Sequence, residues 1–228
     1  MTTIAANLQA IKQRIATACA QSGRAPESVT LLAVSKSWPA ERVGVAAACG
    51  QRAFGENYLQ EAEAKIAALH VLGLEWHFIG PLQSNKSRAV AEKFDWLHTL
   101  DRLKLAERLS AQRPPKLPPL QACIQVNVSG EQSKNGCAPE EVAALAQAVT
   151  KLSGLKLRGL MAIPEPTEDI ALLRSRFAML RQLRDQLSAD GLALDTLSMG
   201  MSHDFEAAIR EGTTIVRVGT AIFGERTR

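Results

Sequence analysis

The chain has no run approaching the roughly 18 to 20 apolar residues that a membrane span requires. Its opening stretch, MTTIAANLQAIKQRIATACA, has the spacing of a helix and not the build of a signal peptide. Both absences make the cytoplasm the expected compartment and a membrane an unexpected partner. Cysteine is scarce. Cys19, Cys49, Cys123 and Cys137 lie far apart and form no C-x-x-C pair, so neither a zinc site nor a redox pair is expected. In a reducing compartment they are small core or surface residues, and the N-x-S match at Asn127 carries no glycan. The formal charge of +4 is modest, its lysines and arginines alternate with acids on helices, and no basic stripe with interleaved aromatics is present, which argues against nucleic acid. No G-x-G-x-x-G follows the first strand pattern, which weakens a dinucleotide-binding reading.

What is present is an alternation. The 228 residues, 46% hydrophobic and 22% charged, suit one globular domain spanning 1–228. Ile4, Leu8, Ile11, Ile15 and Cys19 fall on one face at helical spacing, which predicts an N-terminal amphipathic helix. Strand patterns then follow at VTLLAVSK, RAFGEN, EWHFIG, DWLHTL, LQACIQVNV, LKLRGLMAI, LDTLSMG and TIVRVG. A helical pattern succeeds each of them, from PAERVGVAAAC, opened by Pro39, to TAIFGER, with a long one over 168–187. Eight such pairs with short connections, and strands apolar on both faces, predict an α/β fold: a single (β/α)8 TIM barrel with an extra N-terminal helix. Periodicity does not register closure, so an open doubly wound sheet is the competing arrangement.

Closure would have chemical consequences. Ligand groups of such barrels sit at the carboxyl ends of the strands, and a phosphate commonly binds after strands seven and eight. The seventh strand pattern runs into SMGMSHD, with hydroxyls at Ser198 and Ser202 and a flexible Gly200. The eighth runs into VGTAIFG, where Gly219 permits close approach and Thr220 offers an N-cap and an oxygen ligand. The first strand ends at Lys36. In a closed barrel that amine lies beside the phosphate loops, partly desolvated, with a neutral fraction able to attack an aldehyde. An aldehyde with its own phosphate is pyridoxal 5'-phosphate. Along TIVRVG the residues Ile215, Arg217 and Gly219 share a face, expected to be the inward one. A guanidinium donating to a pyridine nitrogen would make the cofactor a poor electron sink. Each residue also has a plainer reading: a solvated strand-end lysine, turn glycines and serines, a helix cap at Asn57, and packed strand histidines at His77 and His98. A Schiff-base aldolase on a phosphorylated sugar would use a similar lysine.

The segments LLAVSK, FGENYLQEAEAK, WHFIGPLQSNK, VNVSGEQSKNG, GLMAIPE, LSMGMSHDFEAAI and VRVGTAIFG occur in order over nearly the whole chain. In these the chain resembles the pyridoxal phosphate homeostasis proteins, whose fold is like the barrel domain of alanine racemase. The resemblance implies that Lys36 holds pyridoxal 5'-phosphate as a Schiff base, that Arg217 faces the pyridine nitrogen, and that Ser198, Gly219 and Thr220 hold the phosphate. Asn57, His77, Met199, Gly200 and Met201 would line the pocket. Trp38 departs from the polar or basic residue of many relatives, which removes any second-lysine role there. The implied function is binding of the cofactor and balance of its supply and of dependent amino-acid pools. Partners would be the cofactor and, beyond it, cofactor-dependent apoenzymes or cofactor-supplying enzymes. The sequence stops after the eighth unit, without the second domain of racemases, so an open top face and a monomer are expected. A weak amino-acid racemase is the alternative.

Overall fold

The computed structural model describes residues 3–130 and 135–225; residues 131–134 of the VNVSGEQSKNG segment lie outside them. Eight parallel strands close on themselves in sequence order: β1 (Thr30–Val34), β2 (Ala53–Glu56), β3 (Glu75–Phe78), β4 (Trp96–Leu100), β5 (Leu120–Gln125), β6 (Leu155–Met161), β7 (Thr196–Met201) and β8 (Ile215–Val218). Closure is made by β1 against β8, with Leu32 opposite Arg217 and Ala33 opposite Val218. The open sheet is thereby ruled out.

Helices cover the barrel: α1 (Ile4–Gln21), α2 (Ala40–Ala48), α3 (Leu59–Ala68), α4 (Ser87–Lys93), α5 (Leu103–Gln112), α6 (Val142–Val149), α7 (Ile170–Ala189), α8 (Phe205–Arg210) and α9 (Thr220–Phe223). Helix α1 is capped by the Thr3 hydroxyl, which accepts from the Ala6 N–H at 3.2 Å, and its five-residue apolar face is buried as its spacing predicts. Helix α7 is capped in the same way by Asp169, which accepts from Leu172 N–H at 3.0 Å. Pro39 stands at the N-cap of α2 and not within its first turn, because its ψ of 163° is extended. Thr220 likewise is the first helical residue of α9, and Gly219 is the N-cap.

Two apolar cores result. The larger lies between strands and helices, with Phe54, Phe94, Phe177, Phe205 and Phe223 fully enclosed. The smaller fills the barrel: Leu32, Val34, Ala53, Ile79, Trp96, Cys123, Met161 and Ile215. Alternation along each strand sends successive side chains to one core or the other. All four cysteines are free thiols, Cys49 exposed and the rest buried. Among the described residues no group of His, Cys, Asp and Glu could hold a metal ion, and no helix is long and apolar enough to cross a membrane.

Candidate functional site

A cavity of about 240 Å³ opens at the carboxyl end of the strands. Its wall is built from strand termini: Val34, Lys36 and Trp38 after β1, Asn57 after β2, Ile79 after β3, and Ile163 after β6. Met201, Ser202 and His203 come from the end of β7, and Arg217, Gly219, Thr220 and Gly224 from β8 and beyond. Closure puts Lys36, Arg217, Gly219 and Thr220 in one wall although about 180 residues separate the first from the others.

The turn carrying Lys36 is held from behind. Lys65 of α3 is buried, and its ammonium donates to Ser35 O at 2.8 Å and to Glu56 Oε1 at 2.7 Å. The Ser35 hydroxyl donates to the same carboxylate oxygen at 2.6 Å. Ser37 sits at φ 64°, and its N–H donates to Glu61 Oε2 at 2.8 Å. Burial pushes the Glu56 carboxyl above its ordinary range, opposed by the Lys65 and Ser35 hydrogen bonds. Trp38 stacks on Phe223 with ring centroids 6.2 Å apart and carries the Arg42 guanidinium 4.8 Å over its ring, closing one side of the cavity.

Arg217 is buried and held by three acceptors. One terminal nitrogen donates to Ser198 O and Ser198 Oγ, both at 2.7 Å, and the other to Ala162 O at 2.9 Å. Burial brings its pKa down to about 10, so it is cationic at neutral pH. Asn57 Oδ1 is buried with no hydrogen-bond partner among the described residues. Gly80 lets the Asn57 backbone approach: a Cβ there would stand 2.2 Å from Asn57 O. Gly219 is packed against Val34, whose carbonyl oxygen would lie 3.1 Å from an added Cβ.

Of the residues expected to line the pocket, Lys36, Asn57, Met201, Arg217, Gly219 and Thr220 do so. Four others require correction. His77 lies deep in the barrel, stacked on Trp96 at 5.3 Å, with Nε2 2.6 Å from Glu75 Oε1 and Nδ1 2.9 Å from His98 Nε2. Ser198 is fully buried, its hydroxyl engaged by Arg217 and by His98 Nδ1 at 2.8 Å, so it supports the guanidinium from inside the barrel. Met199 belongs to the outer core. Gly200, at φ 92°, turns its would-be side chain to within 2.7 Å of Ala208 Cβ on α8. The cause of the last two is a bulge: Ser198 faces Ile215 and Met201 faces Arg217, three steps on β7 against two on β8. The extra residue sends Met199 and Gly200 both outward and returns Met201 to the cavity. Sequence reading also missed the Lys65–Glu56 pair; Glu61 and Lys65, at i and i+4, resemble an ordinary surface pair.

Fold and site together define a closed (β/α)8 barrel with an amine, a guanidinium and a hydroxyl-bearing glycine turn at its carboxyl mouth. Residues 6–227 match the family "Alanine racemase, N-terminal domain". The pyridoxal phosphate homeostasis protein of Pseudomonas aeruginosa is 60% identical over 226 residues, covering 99% of this chain and 97% of its own. That of Escherichia coli K12 is 53% identical over 234 residues, covering 99% and 98%. Among solved structures, PipY of Synechococcus elongatus with PLP bound superposes with TM-score 0.82 at 41% identity, covering 92% of this chain and all of that one. Alanine racemase of Corynebacterium glutamicum shares the fold at TM-score 0.69 and 18% identity, with 96% of this chain matching 62% of it. The chain belongs to the alanine racemase N-terminal-domain family, and within it to the pyridoxal phosphate homeostasis proteins.

Proposed function

We propose that the chain binds pyridoxal 5'-phosphate in the cavity at the carboxyl mouth and takes part in keeping the supply of that cofactor, and of amino-acid pools that depend on it, in balance. The observation that carries this reading is convergence. One cavity gathers Lys36, cationic Arg217, Ser202, Thr220 and Asn57, which together fit an aldehyde, a pyridine ring and an anionic tail. The names of the relatives and the PLP in the PipY structure support it.

When bound, the cofactor supplies an electrophilic aldehyde carbon on a conjugated ring. Lys36 presents the amine to it, held in place by the Lys65, Glu56 and Glu61 contacts behind its turn. Ser202, Thr220 and the first N–H groups of α9, which have no intrahelical acceptor, would bind the anionic tail. Gly219 keeps side-chain bulk out of that corner. A guanidinium donates without giving up its proton, so Arg217 would keep a ring nitrogen opposite it unprotonated and weaken the ring as an electron sink. That favours a protein that holds and releases the cofactor over one that turns a substrate over. A cytoplasmic, monomeric carrier exchanging with cofactor-dependent apoenzymes or cofactor-supplying enzymes completes the reading. The alternative is weak amino-acid racemase activity, which needs proton-transferring groups on both sides of the bound ligand.

Loading the protein with pyridoxal 5'-phosphate, reducing with borohydride and mapping the peptides tests the reading. A pyridoxyl group on Lys36, absent from Lys36→Ala, is expected. A labelled protein without label on Lys36 refutes it. Solvent deuterium entering the α-carbon of alanine faster than with free cofactor would favour the racemase.

A further inference from the structure

Five side chains cross the barrel interior in single file. At the amino-terminal mouth Glu75 Oε1 lies 2.6 Å from His77 Nε2, and His77 Nδ1 lies 2.9 Å from His98 Nε2. His98 Nδ1 lies 2.8 Å from Ser198 Oγ, which accepts from Arg217 at 2.7 Å. Glu75 is half exposed, whereas His77, His98, Ser198 and Arg217 are buried.

The two ends impose a direction. A guanidinium has no acceptor, and an ionised carboxylate has no donor. The hydrogen bond from His77 holds the Glu75 carboxyl below its ordinary range, so the carboxylate accepts and His77 carries its proton on Nε2. Burial first, then the neighbouring His77 and Arg217, keeps the His98 ring well below the usual imidazole range and therefore neutral. With His98 neutral and Arg217 donating to Ser198 Oγ, the arrangement that gives every donor in the file an acceptor has the Ser198 hydroxyl donating to His98 Nδ1 and His98 Nε2–H donating to His77 Nδ1. Every donor then has an acceptor, and each points from Arg217 toward Glu75. The stack of His77 on Trp96, with ring planes 8° apart, fixes the first ring in that alignment.

We propose that Glu75, His77, His98 and Ser198 are positioning residues: a one-way hydrogen-bond relay that anchors the Arg217 guanidinium at the cavity from the opposite mouth of the barrel. Its effect on cofactor binding rests on the function proposed above; the proton arrangement does not. Reversing or cutting the relay at Glu75, at the opposite end of β3 from the cavity-lining Ile79, would free the Ser198 hydroxyl to rotate and loosen one of the three contacts on Arg217.

Nitrogen NMR of the imidazoles in cofactor-free protein reads the tautomers directly. His77 and His98 are both expected as Nε2–H. Glu75→Leu, a change at a half-exposed side chain, should convert His98 to a tautomer mixture and weaken pyridoxal 5'-phosphate binding, followed by visible absorbance, about tenfold, the worth of one hydrogen bond to a charged group. Glu75→Gln keeps an acceptor oxygen and should retain the tautomers and most of the affinity. His98 found as Nδ1–H in the parent protein, or a Glu75→Leu variant with unchanged affinity, overturns the relay as a positioning device. The expected tautomers in a parent protein that binds no cofactor would support the relay and refute the proposed function instead.

Discussion

Replacing Lys65 by methionine tests how the amine-bearing turn is held. The substitution keeps the stem volume but deletes the ammonium that donates to Glu56 Oε1 at 2.7 Å and to Ser35 O at 2.8 Å. Glu56 is fully buried, and its other oxygen already lacks a partner among the described residues. Removing one member of a buried ion pair costs about 3–5 kcal/mol because the other charge is stranded. Glu56 has one escape, which is to take up a proton. An ordinary glutamate titrates near 4.3, so keeping it protonated at pH 7 spans about 2.7 pH units at roughly 1.4 kcal/mol each, close to 4 kcal/mol. Burial already raises this carboxyl, and loss of Lys65 raises it further. A raised acid destabilises progressively as pH climbs from its unfolded value to its folded one, so the penalty must shrink on acidification. Urea denaturation should show a loss of about 4 kcal/mol at pH 7 falling to about 1–2 kcal/mol at pH 5, where proton uptake costs only about 1 kcal/mol. The double variant Lys65→Met/Glu56→Gln should recover much of the pH 7 loss. A penalty that is equal at both pH values, or a double variant no more stable than the single one, would refute the buried-charge account. If the turn depends on this pair, borohydride-trapped label on Lys36 should decline in parallel with the stability loss at matched folded fraction.

Two other changes probe the backbone around the site. Ser37→Gly removes the cost of a left-handed conformation at φ 64° while retaining the N–H to Glu61; against the added unfolded-state entropy, a net gain of about 0.5 kcal/mol is expected in the urea midpoint, and a loss would contradict it. Gly200→Ala places a methyl 2.7 Å from Ala208 Cβ and 2.9 Å from Phe205 Cα at φ 92°; about 3 kcal/mol should be lost, with weaker cofactor binding as Met201 and Ser202 shift, and an unchanged thermal midpoint would show that α8 yields freely.

The fold was legible because its signals are local. Apolar runs of strand length, helical spacings such as Ile4 to Cys19, and short connections repeat eight times, and parallel strands need helices to return the chain. So were the inward face of β8 and the strand-end position of Lys36, since both follow from a period of two and an element boundary. The site's inner layer was not. Nothing local distinguishes Lys65 from a solvated helix lysine, and its pairing with Glu56 arises only when α3 folds back over the end of β2. The bulge in β7 has no residue signature beyond a glycine, yet it decides that Met201 faces the cavity while Met199 and Gly200 do not. His77 and Ser198 were expected at the cofactor and His98 as a packed strand residue, and their alignment into one file is created by the neighbouring strands β3 and β4 meeting β7 across the lumen. The order of the amino acids therefore determined eight βα units and which groups stand at their ends. The closed tertiary structure decided which of those groups touch, because contact across a barrel depends on registers and bulges between strands and not on spacing within any one of them.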